Sequence, residues 1–265
     1  MIRRKICKTC NCPKAMFFIV TMMVCFSSTS IVLAQGFDWQ YSSRLPSSSP
    51  VLFIGGGATF NYGLNTADIY SLGADYRCGD YKSGTETGFS AKIASEYWQT
   101  GVLSLWGEAG YRNSTVKFSS TTEPEPFKNR GEIDSLTREF LMKTIFHSIV
   151  VEAGVKWRIA PTHLNFIFGI RAELLLKNTV EQTESIVTPV EFVSPVPYSY
   201  GNVSLTSFRS VYITPIVGIG YDMELGRGLY ATPKITVGVP LMSRSSVISW
   251  KSWDFSAGIV ILTHL

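Results

Sequence analysis

Beyond residue 34 the chain carries three histidines, His147, His163 and His264, and a single cysteine, Cys78. These are the groups that acid–base or nucleophilic chemistry would have to use. His147 and Ser148 adjoin, but neighbouring residues of a strand point to opposite faces, so the imidazole could not activate the hydroxyl beside it. His163 follows the turn at Pro161, and His264 is the penultimate residue. A lipid hydrolase or acyltransferase would need a serine and a histidine on adjacent strands at one rim, and the spacing offers no such pair. Cys7, Cys10 and Cys12 have a metal-like spacing without a histidine nearby. The segment Asp75, Tyr76, Arg77, Cys78, Gly79, Asp80 has carboxylates for a divalent cation but lacks the ligand spacing of a calcium loop. Gly55, Gly56 and Gly57 lead into no helical pattern whose N-terminus could hold a phosphate. No catalytic residue, cofactor or metal is expected.

What recurs instead is charge at every second position. From Leu103 to Arg112, Leu103, Leu105, Ala109 and Tyr111 share one face while Ser104, Glu108 and Arg112 share the other. Further on, Ile149, Val151, Ala153, Val155 and Trp157 oppose Ser148, Glu152, Lys156 and Arg158. Phe166, Phe168, Ile170, Ala172 and Leu174 oppose Asn165, Arg171 and Glu173, and Trp253, Phe255, Ala257, Ile259 and Ile261 oppose Asp254, Ser256 and Gly258. If the polar faces meet, Lys92, Glu96, Glu108, Arg112, Glu152, Lys156, Arg171, Glu173, Asp222 and Lys234 share one interior, five cations with five anions. A salt-bridged, plugged lumen is predicted, because the interior of an eight-stranded barrel is just wide enough for side chains to fill. About a third of these charges would by position fall in solvated strand ends beyond the membrane band.

Eight such stretches can be read: 51–61, 88–98, 102–118, 142–159, 163–176, 208–224, 229–242 and 247–264. Their connections run long, short, long, short, long, short and medium, the asymmetry of barrels with brief turns on one side of a membrane and extended loops on the other. The long loops are 62–87, 119–141 and 177–207. Lys128 to Glu139 could hold a short helix over the rim, and Pro189, Pro195 and Pro197 argue against a central strand in the third loop. Trp98, Tyr111, Trp157, Tyr212, Tyr221, Tyr230, Trp250 and Trp253 lie near strand ends, where they could form interfacial girdles. The fold expected is an all-β, eight-stranded antiparallel up-and-down transmembrane β-barrel over residues 51–265. Alternation alone leaves a soluble sandwich open, since it does not say which face meets water.

Residues 1–34 read as a cleaved signal peptide: Arg3, Arg4, Lys5, Lys8 and Lys14, an apolar run from Ala15 to Phe26, and the exit Val32, Leu33, Ala34. The run is short of the roughly 20 apolar residues that a spanning helix needs, which disfavours a retained anchor. Val24 before Cys25 is too bulky for a lipoprotein site. Removing this segment takes five positive charges, so the net charge falls from +4 to −1 and no nucleic-acid partner is expected. Residues 35–50 form a polar leader. Only Cys78 then remains, which leaves no intramolecular disulfide.

The signal, the leader Phe37, Asp38, Trp39, Gln40, Tyr41, Ser42, Ser43, Arg44, Leu45, Pro46 and the ending Trp250, Lys251, Ser252, Trp253 through Gly258 carry a resemblance. The chain resembles the small outer-membrane barrels of the OmpX and OmpA transmembrane type, and looks most like the PorT-like outer-membrane β-barrel domain of Bacteroidota. That resemblance implies a monomer in the bacterial outer membrane, with outer-membrane lipids and the barrel assembly machinery as partners. It implies a structural or surface-interaction role through the long loops, with a surface partner still unknown. A narrow pore for small solutes and a lipid-modifying barrel enzyme are the alternatives. The chain departs from the family at Thr263, His264, Leu265, where an aromatic final residue is usual.

Overall fold

In the computed structural model, which describes residues 51–71, 77–129, 132–159, 162–188, 198–203, 208–226 and 229–265, the first and last strands pair and close a ring. The strands are β1 (Val51–Ser71), β2 (Arg77–Trp98), β3 (Leu103–Thr121), β4 (Glu125–Asn129), β5 (Glu132–Arg158), β6 (Leu164–Thr188), β7 (Tyr198–Val203), β8 (Val211–Tyr221), β9 (Met223–Gly226), β10 (Leu229–Gly238) and β11 (Trp250–His264). Each pairs antiparallel with its neighbour, and the order β5-β3-β2-β1-β11-β10-β8-β6 returns to β5. The molecule is therefore an eight-stranded up-and-down barrel, with β4, β7 and β9 as short additions at its rims. An open two-layer sandwich has no such closure. The expected signal peptide and leader lie outside the described residues.

The faces sort by chemistry. Outward from the wall stand Leu52, Ile54, Phe60, Leu64, Phe89, Ile93, Leu105, Val151, Trp157, Phe168, Ile170, Ile219, Phe255 and Ile261, all exposed. They come from seven of the eight ring strands. Soluble monomers rarely expose apolar patches beyond a few hundred Å², whereas hydrocarbon requires such a belt and a backbone whose polar groups are all paired. The closed ladder supplies that pairing.

The wall is uneven in height. β5 has 27 residues and β6 has 25, against 11 in β8 and 10 in β10. At the turn rim, formed by the short connections at 99–102 and 159–163, β5, β6 and β8 end level, since Arg158 pairs Asn165 and Leu164 pairs Tyr221. The extra length therefore rises at the opposite, loop rim. The three stretches expected to be long loops are in large part strand. Tyr62 to Ser71 continue β1, Arg77 to Thr87 belong to β2, and Lys177 to Thr188 belong to β6. No helix covers the rim at Lys128 to Glu139; Glu125–Asn129 and Glu132–Leu136 form a hairpin instead. Pro189, Pro195 and Pro197 lie outside the described residues.

Two physical causes hide these extensions. Inward residues on β3 are Glu108, Arg112 and Ser114 within the belt, then Val116 and Phe118 above it, while outward residues change from Leu105 and Tyr111 to Asn113 and Lys117. The strand keeps its parity while the chemistry of its faces reverses, because the protruding sheet meets water outside and must bury apolar groups inside. On β6 the ladder shifts as well: Ser148 pairs Leu175 and His147 pairs Lys177, which leaves Leu176 as a bulge. A bulge moves all later side chains to the other face, so Val180 and Gln182 point inward although Leu175 already does.

Ring closure depends on β1 lying tight against β11. A Cβ added at Gly55 would stand 1.9 Å from the backbone oxygen of Ile261, and one at Gly57 would stand 2.5 Å from that of Ile259. A Cβ at Gly101, in the turn between β2 and β3, meets nothing within 4 Å. Gly55→Val should therefore lower the folded, heat-modifiable fraction after refolding into detergent, with a destabilisation of about 1–3 kcal/mol. Gly101→Ala should refold like the parent, and equal loss in both variants would contradict the tight seam.

Candidate functional site: the charged interior

All ten charges placed on inward faces by their spacing stand inside the ring: Lys92, Glu96, Glu108, Arg112, Glu152, Lys156, Arg171, Asp222 and Lys234 are buried, and the Glu173 side chain is 13% exposed. None of them occupies a solvated strand end. Four more charges join them, Glu86, Arg158, Arg244 and Asp254. Arg158 and Asp254 sit at alternating positions that mark them as inward. Glu86 was hidden in a stretch read as loop, and Arg244 lies beyond β10, on a connection that folds into the lumen.

The fourteen groups form two separate networks. Near the turn rim, Lys156 Nζ lies 3.0 Å from Glu96 Oε1 and 2.8 Å from Asp222 Oδ1, and Arg158 Nη2 lies 3.5 Å from Asp222 Oδ2. Tyr230 donates to Glu96 Oε2 at 2.6 Å and Ser104 donates to Oε1 at 2.9 Å. The Arg158 guanidinium stacks 4.1 Å from the centre of the Trp98 ring. Two cations here face two anions.

Higher up, Glu108 and Glu152 are direct cross-strand partners on β3 and β5. Like charges opposite one another destabilise a sheet, and Lys92 resolves the conflict by lying 2.7 Å from Glu152 and 3.3 Å from Glu108. Lys234 also pairs with Glu108, and Arg171 Nε reaches Glu152 at 2.6 Å. Arg171 then pairs with Asp254, which accepts from Arg112 at 3.1 Å. Arg112 continues to Glu173 at 2.8 Å and Glu86 at 3.1 Å, and Arg244 closes on Glu86 at 2.7 Å. Five cations, Lys92, Arg112, Arg171, Lys234 and Arg244, face five anions, Glu86, Glu108, Glu152, Glu173 and Asp254. Each network is neutral by itself.

Apolar layers flank the networks. Trp106, Ile167 and Ile216 lie between them. Phe53, Ala94, Trp98, Tyr230, Val260 and Leu262 fill the turn-rim end. Toward the loop rim, Phe118, Phe140, Met142, Phe146, Val180 and Trp250 pack with further apolar residues into a cap, with Phe118 and Trp250 rings edge to face at 5.0 Å. This corrects the girdle expectation for four residues. Trp98, Tyr212, Tyr230 and Trp250 are buried inside the barrel, whereas Tyr111, Trp157 and Trp253 are exposed on its outer wall and Tyr221 is partly so. Residue type does not distinguish the two groups; which face of its strand each residue occupies does.

The histidines sit apart from this interior. His147 is on the outer wall, bonded through Nδ1 to the Tyr111 hydroxyl, while Ser148 is buried within. His163 Nδ1 lies 2.8 Å from the Asp222 carbonyl oxygen, and His264 packs edge to face on Phe53. Among the described residues no group of three or more His, Cys, Asp or Glu could hold a metal ion. Arg77 to Asp80, taken as part of a turn, belong to β2, and Asp75 and Tyr76 lie outside the described residues.

A closed ring with a lipid-facing belt and an ionic, sealed interior defines the class: an eight-stranded transmembrane β-barrel. No protein-family model matches the chain, and no curated protein matches it. Among solved structures it is similar to Ail, the attachment invasion locus protein of Yersinia pestis, in complex with the heparin analogue sucrose octasulfate, at 11% identity and a TM-score of 0.30 over 80% of this chain and 99% of that one. It is similar to neisserial surface protein A at 11% identity and a TM-score of 0.29, over 80% and 98% of the two chains. The outer membrane protease OmpT from Escherichia coli gives 9% identity and a TM-score of 0.29 over 82% and 97%. These likenesses are too remote to assign an activity, and the class rests on the barrel's own geometry.

Breaking a buried pair leaves an uncompensated charge. Arg112→Met takes the cation from Glu173 and one of two cations from each of Glu86 and Asp254, and should cost about 3–5 kcal/mol in equilibrium unfolding from detergent. Glu184→Gln removes the pair with Arg138, whose side chain is 40% exposed, and should change stability by less than about 1 kcal/mol. Similar losses in the two variants would contradict a dry ionic core.

Proposed function

We propose that the protein is a non-enzymatic, monomeric barrel of the bacterial outer membrane that presents its protruding sheet at the cell surface in a structural, adhesive or partner-binding role. The observation that carries this reading is the pairing of a filled lumen with a tall wall. The interior is occupied by two neutral ion networks and three apolar layers, so the strands serve as an anchor. The wall of β1, β2, β3, β5 and β6 rises above the belt and offers a folded surface outside lipid. The partners are outer-membrane lipids, the barrel assembly machinery during biogenesis and a surface ligand of unknown identity; nucleic acid is not among them. Closed barrels with short turns on one rim are the form in which chains cross that membrane.

Planar-bilayer recording of the refolded protein tests the reading. No steady single-channel steps are expected, and a reproducible unit conductance would instead favour a narrow pore. Turnover of labelled lipid A or phospholipid, lost on His147→Ala, would overturn the non-enzymatic assignment. Placement of the tall rim outside the cell is checked by protease applied to intact cells, which should cut an epitope inserted near Lys128 and spare one inserted at Gly101.

A further inference from the structure

The outer wall changes chemistry above the belt, and on three neighbouring strands it changes in the same sense. Rising from the turn rim, the outward face of β3 runs through Leu105, Ala109 and Tyr111 to Asn113, Thr115 and then Lys117. That of β5 runs through Val155, Val151, Ile149 and His147 to Ile145 and Lys143. That of β6 runs through Phe168, Ile170 and Leu174 to Lys177, which pairs with the outward His147. On each strand the first outward side chain with a fixed charge is a lysine.

Two of these lysines are direct cross-strand partners, Lys117 on β3 and Lys143 on β5. Side chains so placed start about 4.5–5.5 Å apart, and like charges there destabilise a sheet. The same two strands carry the mirror conflict on their inner face, where Glu108 opposes Glu152 and Lys92 bridges both. The lysine pair has no such bridge. Glu181, opposite Lys143 on β6, lies 3.8 Å from that lysine, and Lys117 has no carboxylate partner among the described residues. The row Lys117, Lys143, Glu181 is left with one positive charge, and Lys177 adds another lower on β6. Because this face continues the lipid-facing wall, the membrane is the nearest source of the missing anion.

We propose that Lys117 and Lys143 hold between them the phosphate of a membrane lipid. Thr115 and Asn113 stand below them, where the ester oxygens of such a lipid follow its phosphate, and Tyr111, Ile149 and Val151 face its acyl chains. Cation, then hydroxyl and amide, then ring and aliphatic chain is the order in which the wall descends, and it matches phosphate, ester and hydrocarbon in turn. A soluble anion would use the two lysines alone; the continuity with the belt selects a lipid. This site deepens the lipid partnership proposed above and rests on that membrane placement, but not on the surface role.

Native mass spectrometry of the protein refolded into detergent micelles tests the assignment. The probe is dioleoyl phosphatidic acid, with dioleoylglycerol as the same chains without phosphate and inorganic phosphate as the headgroup without chains. Phosphatidic acid should saturate one site about tenfold or more tightly than dioleoylglycerol, and an equal concentration of inorganic phosphate should not displace it. Lys117→Gln and Lys143→Gln should each weaken retention about fivefold, the scale of one lysine at a charged membrane surface, and together about 25-fold. Lys117→Arg should keep the parental affinity. So should Lys251→Gln, which removes an outward lysine that faces Thr66 on β1. All four positions lie on the exposed wall, so heat-modifiable migration should persist in every variant. Equal retention of dioleoylglycerol, displacement by inorganic phosphate, parental affinity in the double variant, or an equal loss in Lys251→Gln would each overturn the proposal. None of these outcomes touches the surface role, which falls instead on the protease and conductance results described above.

Discussion

A carboxylate enclosed by hydrocarbon must find a cation on a neighbouring strand, and the architecture of this protein follows from that requirement. Taking an ion out of water costs several kcal/mol even after relaxation, and Coulomb attraction offsets the cost only when geometry and further hydrogen bonds are good. Here the partners come from strands that are remote in sequence: Asp254 on β11 joins Arg112 on β3 to Arg171 on β6. Such pairs exist only in the closed ring. The ion networks therefore act as registry devices as well as filling, since a slip of one residue on any strand would turn its charges toward lipid.

Sealing completes the arrangement. Apolar side chains at both ends and in the middle flank the networks, and they divide the charges into two groups that are each neutral. The division also explains the placement of aromatic residues. Trp98 receives Arg158 and Lys156 over its ring at 4.1 and 5.5 Å, and Trp106 receives Lys234 at 5.0 Å. These rings serve as soft second partners for cations already paired with carboxylates, a contact strengthened by desolvation.

The parts legible in the sequence are those on which lipid imposes a pattern. Within the belt every outward residue must be apolar, so Val151 and Glu152, or Ile170 and Arg171, alternate plainly and the strands and inward charges can be read. Above the belt the requirement reverses. Val116 and Phe118 are buried where Arg112 was buried below them, and the reversal makes a continuous strand look like the end of one. Glu86 was lost for this reason, and the bulge at Leu176 hid the rest of β6 by changing parity. Arg244 had no strand pattern to announce it, because its connection enters the lumen. Trp250 and Trp253 show the remaining ambiguity: same type, three residues apart, opposite sides of the wall.

The most direct test asks which solvent each face meets. In a chain beginning at residue 35 and carrying Cys78→Ser, which leaves no other cysteine, Ile93→Cys, Val151→Cys and Phe168→Cys would each carry a fluorophore in the protein reconstituted into vesicles with brominated acyl chains. The barrel described here predicts strong quenching by the brominated lipid and protection from aqueous iodide at all three positions. Iodide access with no lipid quenching at these sites would mean that the apolar face meets water, and the inside-out arrangement of charge and hydrocarbon would be contradicted.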